Sequence, residues 1–203
     1  MDSEVRIPGF LRPIHGETAT VLDILLVYVV GAVFGVLALV FASTRVESLP
    51  AWKAVILFLL AADVSGGTVA CFSTGMGAYY ETRPGLRWGF IFVHVIEPGL
   101  LSLLFDGRLA YWLFLYAYTV AAASLVTIIP GRARQEGSAA ALVVIGIVIL
   151  LPIGLSTSFL AWFGPVYMLK LVLGFSVRRI QPGGTPQGGT PQGGTQRGRP
   201  RPV

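Results

Sequence analysis

The sequence predicts an all-α integral membrane protein, a six-transmembrane-helix bundle whose last two helices are short or kinked. Three observations carry that expectation. Of 203 residues, 54% are hydrophobic and only 12% charged, roughly half the charged share of an ordinary soluble domain, so one globular core cannot hide the apolar surface. The apolar residues fall in long runs nearly free of charge, several of them able to cross ~30 Å of hydrocarbon at ~1.5 Å per residue. The basic residues collect in alternate connections between those runs, as the positive-inside tendency requires.

Taken in order, residues 1–20 are polar and mixed in charge, with Pro8 and Pro13, and read as an extended cytoplasmic N-terminal arm. His15 and Glu17 lie in this arm. An isolated H-x-E is a thin metal signal, so both are expected at the surface. The membrane domain is expected over 21–179. Its first span, 22–42, has no cleavage site and is too long for a signal-peptide core; its Gly31 and Gly35 allow a neighbouring helix to approach closely. The second span, 51–72, holds one charge, Asp63, followed by Gly66 and Gly67. A turn over 73–87 carries Tyr79, Tyr80, Arg83 and Arg87, residues suited to the headgroup layer.

The third span, 88–105, contains His94, Glu97 and Pro98. The fourth, 109–129, begins with Tyr111, Trp112, Tyr116 and Tyr118, a pattern expected of an interfacial aromatic belt. Residues 137–177 hold a single charge, Lys170, over a length too great for one ordinary span. They divide into two short helices, 138–155 and 159–177, around Pro152 and Gly154, with Pro165 expected to kink the last. Lys170 lies two turns from Arg178 and is expected to snorkel to the inner interface, pairing with Glu97 or Asp63 being the alternative. The single cysteine, Cys71, excludes an intramolecular disulfide and reads as a packing residue. The tail, 180–203, repeats PQGGT and ends in Arg197, Arg199 and Arg201. A stretch so poor in apolar residues reads as a disordered basic tether.

Charge fixes the expected orientation. With six spans and both termini cytoplasmic, eleven Lys and Arg lie inside and three outside, Lys170 being within a span. Five spans would place six inside and eight outside, against the usual bias. The expected location is the cell membrane, with the bilayer as the main partner and anionic headgroups meeting the basic tail. The net charge of +5 therefore points to a leaflet and not to nucleic acid.

Asp63, His94 and Glu97 are the candidate catalytic residues. Asp63 and Glu97 each lie ~14 Å, and His94 ~9 Å, above the inner end of their spans. Groups at similar depth on consecutive antiparallel helices can meet, and ionisable groups at that depth need partners or a purpose. Histidine beside a carboxylate is the usual general-base pairing, while Tyr79, Tyr80, Arg83 and Arg87 form a candidate hold on a substrate headgroup. Two functional classes follow. One is a membrane-embedded enzyme acting on a lipid-like substrate. The other is a small proton-coupled carrier, or a non-enzymatic assembly protein whose cluster is structural; a carrier of this size would need a homo-oligomer to build a path. The sequence has no Walker A, G-x-S-x-G or H-E-x-x-H motif, no paired-aspartate headgroup-transferase signature, no cofactor fingerprint and no metal-ligand repeat.

Overall fold

A computed structural model describes residues 4–106, 108–154 and 158–178; the repeat tail lies outside them. The chain forms an all-α bundle with a small folded cap at one end. Five helices are long and apolar enough to span a membrane: Val21–Ser43, Ala51–Cys71, Pro84–Phe105, Leu109–Ile128 and Arg132–Leu150. A sixth apolar segment, Phe163–Phe175, is shorter.

The cap departs from the extended arm expected for residues 1–20. β1 (Glu4–Arg6) pairs antiparallel with β2 (Thr18–Thr20), Val5 opposite Ala19. Between them a 3₁₀ turn, Gly9–Leu11, runs into the short helix α1 (Arg12–His15). His15 is buried and not on the surface, its Nε2 3.3 Å from the Tyr28 hydroxyl. Glu17 does stay exposed and pairs with Arg83 at 2.7 Å.

α2 (Val21–Ser43) starts in a capping box. Thr20 Oγ1 accepts from the Asp23 amide at 3.1 Å and the Asp23 carboxylate accepts from the Thr20 amide at 3.4 Å, which satisfies two of the free donors of the first turn. α3 (Ala51–Cys71) packs antiparallel against α2. Gly66 makes the closest approach: a Cβ there would lie 2.7 Å from the Val27 carbonyl oxygen, and one on Gly31 would lie 3.0 Å from that of Ala62. The small-residue spacing thus serves contact within the chain.

The expected turn over 73–87 contains a helix, α4 (Thr74–Glu81), capped by Ser73 Oγ. The next pass is broken. α5 (Pro84–Val93) and α6 (Ile96–Leu101) are separated at His94 and Val95, and a π turn, Ser102–Asp106, follows. Pro98 accounts for the break. It has no N–H, and its ring crowds the carbonyl four residues earlier, that of His94.

α7 (Leu109–Ile128) and α8 (Arg132–Gly154) complete the outer ring. The start of α7 is core, not an interfacial belt: Tyr111 and Trp112 are buried, and Trp112 meets Phe163 edge to face at 5.7 Å. The final pass holds a 3₁₀ turn, Ser158–Leu160, then α9 (Phe163–Met168), which continues as a π segment, Leu169–Phe175. Pro165 causes no kink, because it lies in the first turn of α9, where its missing N–H breaks no helical bond. This shortest pass is the bundle's central post. Phe163, Tyr167, Met168, Leu171 and Val172 are wholly buried, and the post packs against α3, α7 and α8.

The cap-side end of the post is anchored. The Arg178 amide donates to Gln135 Oε1 at 2.8 Å, and Arg87 donates to the carbonyls of Phe175 and Ser176 at 3.0 and 2.9 Å. The post therefore ends beside the starts of α5 and α8, at the cap end. At the far end of the bundle Lys53 Nζ donates to the Leu104 carbonyl at 2.6 Å.

Candidate functional site

The polar cluster is assembled around a residue expected elsewhere. Lys170 stands at the head of the π segment and does not snorkel. Its side chain is only 3% exposed, and Nζ donates to Asp63 Oδ2 at 2.7 Å and to Glu97 Oε1 at 3.4 Å. The last pass sits inside the bundle, so its lysine has protein on all sides and two carboxylates closer than any headgroup. π segments insert an extra residue per turn and recur at functional sites. Gly67 makes room for the ammonium, since a Cβ there would fall 2.7 Å from Lys170 Cε and 3.0 Å from Nζ.

Asp63, His94 and Glu97 do come to one place, but not by direct packing of the second pass on the third. α3 leans on α2 and on the post, and Lys170 bridges Asp63 on one side to Glu97 on the other. His94 and Glu97 flank the break between α5 and α6, with His94 Nε2 3.7 Å from Glu97 Oε1. The His94 carbonyl, released by Pro98, accepts from the Tyr167 hydroxyl at 2.7 Å. The imidazole is fixed on its other side. Nδ1 donates to the Phe90 carbonyl, and the ring lies 4.2 Å from that of Phe90. In the neutral tautomer this contact selects, Nε2 keeps its lone pair. No donor reaches Glu97 Oε2, which is buried.

Asp63, His94, Glu97 and Lys170 line a groove of about 800 Å³, within the ~300–1,000 Å³ usual for small-molecule sites. Its walls are apolar, from Val27, Gly31 and Ala32 on α2 and Leu59 and Leu60 on α3 across to Val93, Ile96 and Leu100 on α5 and α6. Pro13 and Ile14 of the cap close one end. Asp63 opens on the groove, with 58% of its side chain exposed, whereas Glu97 is 9% exposed.

None of Tyr79, Tyr80, Arg83 and Arg87 lines the groove. Arg83 lies over the Tyr79 ring at 4.3 Å and pairs with Glu17. Tyr80 donates to the Pro13 carbonyl at 3.2 Å, and burial pushes its phenol pKa up. Arg87 caps the carbonyl end of the post and pairs with Glu81 at 3.3 Å. These four fasten the cap and the post. Among the described residues no three His, Cys, Asp or Glu side chains converge as metal ligands would.

Fold and site together define a helical bundle of the multi-pass membrane type, with a buried lysine bridging two carboxylates beside a histidine. No protein-family model, curated protein or solved structure matches the chain.

Proposed function

We propose that the protein is a membrane-embedded enzyme that takes a lipid-like molecule into the groove between α2–α3 and α5–α6 and acts on its polar end, with His94 as general base. The observation that carries this reading is the groove itself: its walls are mostly apolar, and partway along them it exposes one polar patch, Asp63, Lys170, Glu97 and His94. Such a site takes an amphiphile whose chain stays among the wall residues while its head reaches the ionisable groups. Nε2 of His94 is the atom with a lone pair to spare, because Nδ1 is committed to Phe90. Glu97 stands on the Nε2 side, where a carboxylate steadies the imidazolium formed when the base takes a proton. The groove is built within one chain, so the reading needs no second copy.

In this reading the chain crosses the cell membrane six times with both termini cytoplasmic. Support comes from Arg83, Arg87, Arg132, Arg134 and Arg178 gathering toward the cap end, while Arg45, Lys53 and Arg108 mark the far end. The basic tail would then meet anionic headgroups of the inner leaflet.

The test is conversion of lipid by purified protein in bilayers of a cellular lipid extract, followed by mass spectrometry. The expected result is a time-dependent change in one lipid class with the native chain and none with His94→Ala of equal thermal stability. Identical lipid profiles from native chain, His94→Ala and empty bilayers would overturn the enzyme reading.

A second reading, a proton-coupled carrier, is favoured by one observation: Lys170 contacts two carboxylates on opposite walls. It predicts proton-driven flux in liposomes that Glu97→Gln abolishes.

A further inference from the structure

The groove's charges also specify its ligand. We infer that it selects a single-chain amphiphile with a protonated amine at its polar end, and disfavours a phosphate. This rests on the reading of the groove as a lipid-like site and adds the chemistry of the head.

The polar patch of the groove holds two carboxylates and one ammonium. That ammonium is already committed, because Lys170 is almost fully enclosed and its Nζ is held by both Asp63 and Glu97. Among the described residues no arginine lines the groove. The nearby cations that would suit a phosphate are engaged elsewhere, Arg83 with Glu17 and Tyr79, Arg87 with Glu81 and the end of the post. An anionic head would face Asp63 across the open groove with no free donor to receive it, and like charges at such a distance repel.

The acceptors, in contrast, are unfilled. Asp63 gives one oxygen to Lys170 and turns most of its carboxylate to the groove. Glu97 Oε2 is sealed from the groove and has no donor, so Glu97 acts on a ligand through its charge. His94 Nε2 offers a second acceptor 3.7 Å from Glu97 Oε1. An ammonium carries three donors and one positive charge. It can serve both Asp63 and His94 and balances the second carboxylate, so that two cations face two anions. A hydroxyl meets the acceptors with a single donor and no charge, and a phosphate adds negative charge to a patch that already holds two carboxylates.

The experiment uses the full chain in nanodiscs of zwitterionic lipid, with dodecylamine, dodecanol and dodecyl phosphate as probes. Binding is read by native mass spectrometry and corrected for partition into empty nanodiscs. The amine is expected to bind about tenfold more tightly than the alcohol, the scale of one hydrogen bond to a charged group, with the phosphate weakest. In Asp63→Asn the advantage of the amine over the alcohol should vanish; Glu97→Gln gives the same comparison should the first variant lose its fold. Phosphate binding equal to or tighter than amine binding overturns the inference and leaves the lipid-like site standing. An amine advantage that persists unchanged in both variants also overturns it. Absence of binding by all three probes removes the groove reading, and the inference with it.

Discussion

The two walls of the groove are built on opposite principles. The α2–α3 wall is two continuous helices held by backbone approach at Gly31 and Gly66, and it contributes one polar cluster residue, Asp63. The α5–α6 wall is interrupted at His94 by Pro98, and it contributes two. Continuous helices satisfy their own carbonyls and offer a membrane little chemistry. A break frees a carbonyl, and here Tyr167 takes it. The rigid wall supplies shape and the broken wall supplies reactivity, while Lys170 on the post ties them together.

Cutting that tie should have the largest effect. Lys170→Met leaves Glu97 buried without its counter-charge, and removal of one partner from a buried pair costs about 3 kcal/mol or more. Thermal unfolding in detergent should fall accordingly. The triple variant Lys170→Met, Asp63→Asn, Glu97→Gln should recover much of the loss, since it removes the stranded charges as well. If Lys170→Met alone unfolds no earlier than the native chain, the walls are not joined by this ion pair.

The adjacent glycines separate shape from chemistry. A methyl on Gly66 meets the Val27 backbone, which cannot yield, whereas one on Gly67 meets the flexible end of Lys170. Gly66→Ala should destabilise by ~1–3 kcal/mol, as overpacking does. Gly67→Ala should lose less, because the end of the lysine can shift without leaving its two carboxylates, and should weaken ligand binding by moving the ammonium. Equal melting losses in the two variants would erase the distinction.

Much of this was legible in the sequence and some was not. Asp63, His94 and Glu97 stand out because charge inside an apolar run is conspicuous, and their shared depth follows from helix rise alone. The choice between snorkelling and pairing for Lys170 is not legible in the sequence, because spacing to Arg178 says how far a side chain must reach, not whether protein or lipid surrounds it. Only the burial of the last pass decides that. The broken third pass was half visible: Pro98 announces a kink, but its consequence depends on Tyr167, 69 positions away by number in the sequence. The cap was unreadable as a fold because its strands are three residues each, and their pairing depends on packing against α4 and not on local pattern.

The break itself makes a smaller prediction. Tyr167→Phe removes one hydroxyl bond to the His94 carbonyl and should cost about 1 kcal/mol. Pro98→Ala restores an N–H that competes for the same carbonyl. The double variant should therefore lose less than Tyr167→Phe alone. Additive losses in a double-mutant cycle would show that Pro98 and Tyr167 do not share that oxygen.

The smallest effect lies where the cap meets the rigid wall. His15 bonds Tyr28 of α2, while Tyr80 and Glu17 fasten the cap toward α4. Burial lowers the His15 pKa below its ordinary 6.5, and the Asp23 charge opposes that shift without cancelling it. A histidine whose folded pKa is depressed binds its proton more readily once the cap is open. Stability of the closed cap is thus complete above the ordinary pKa and declines as pH falls through it. Amide protection over residues 4–20, taken relative to the intrinsic exchange rate at each pH, should fall as pH drops from about 7 to about 5, with the protection of α3 unaffected. His15→Gln should flatten that dependence, because the amide side chain does not titrate in this range. An equally steep dependence in His15→Gln would show that His15 does not carry the pH response of the cap.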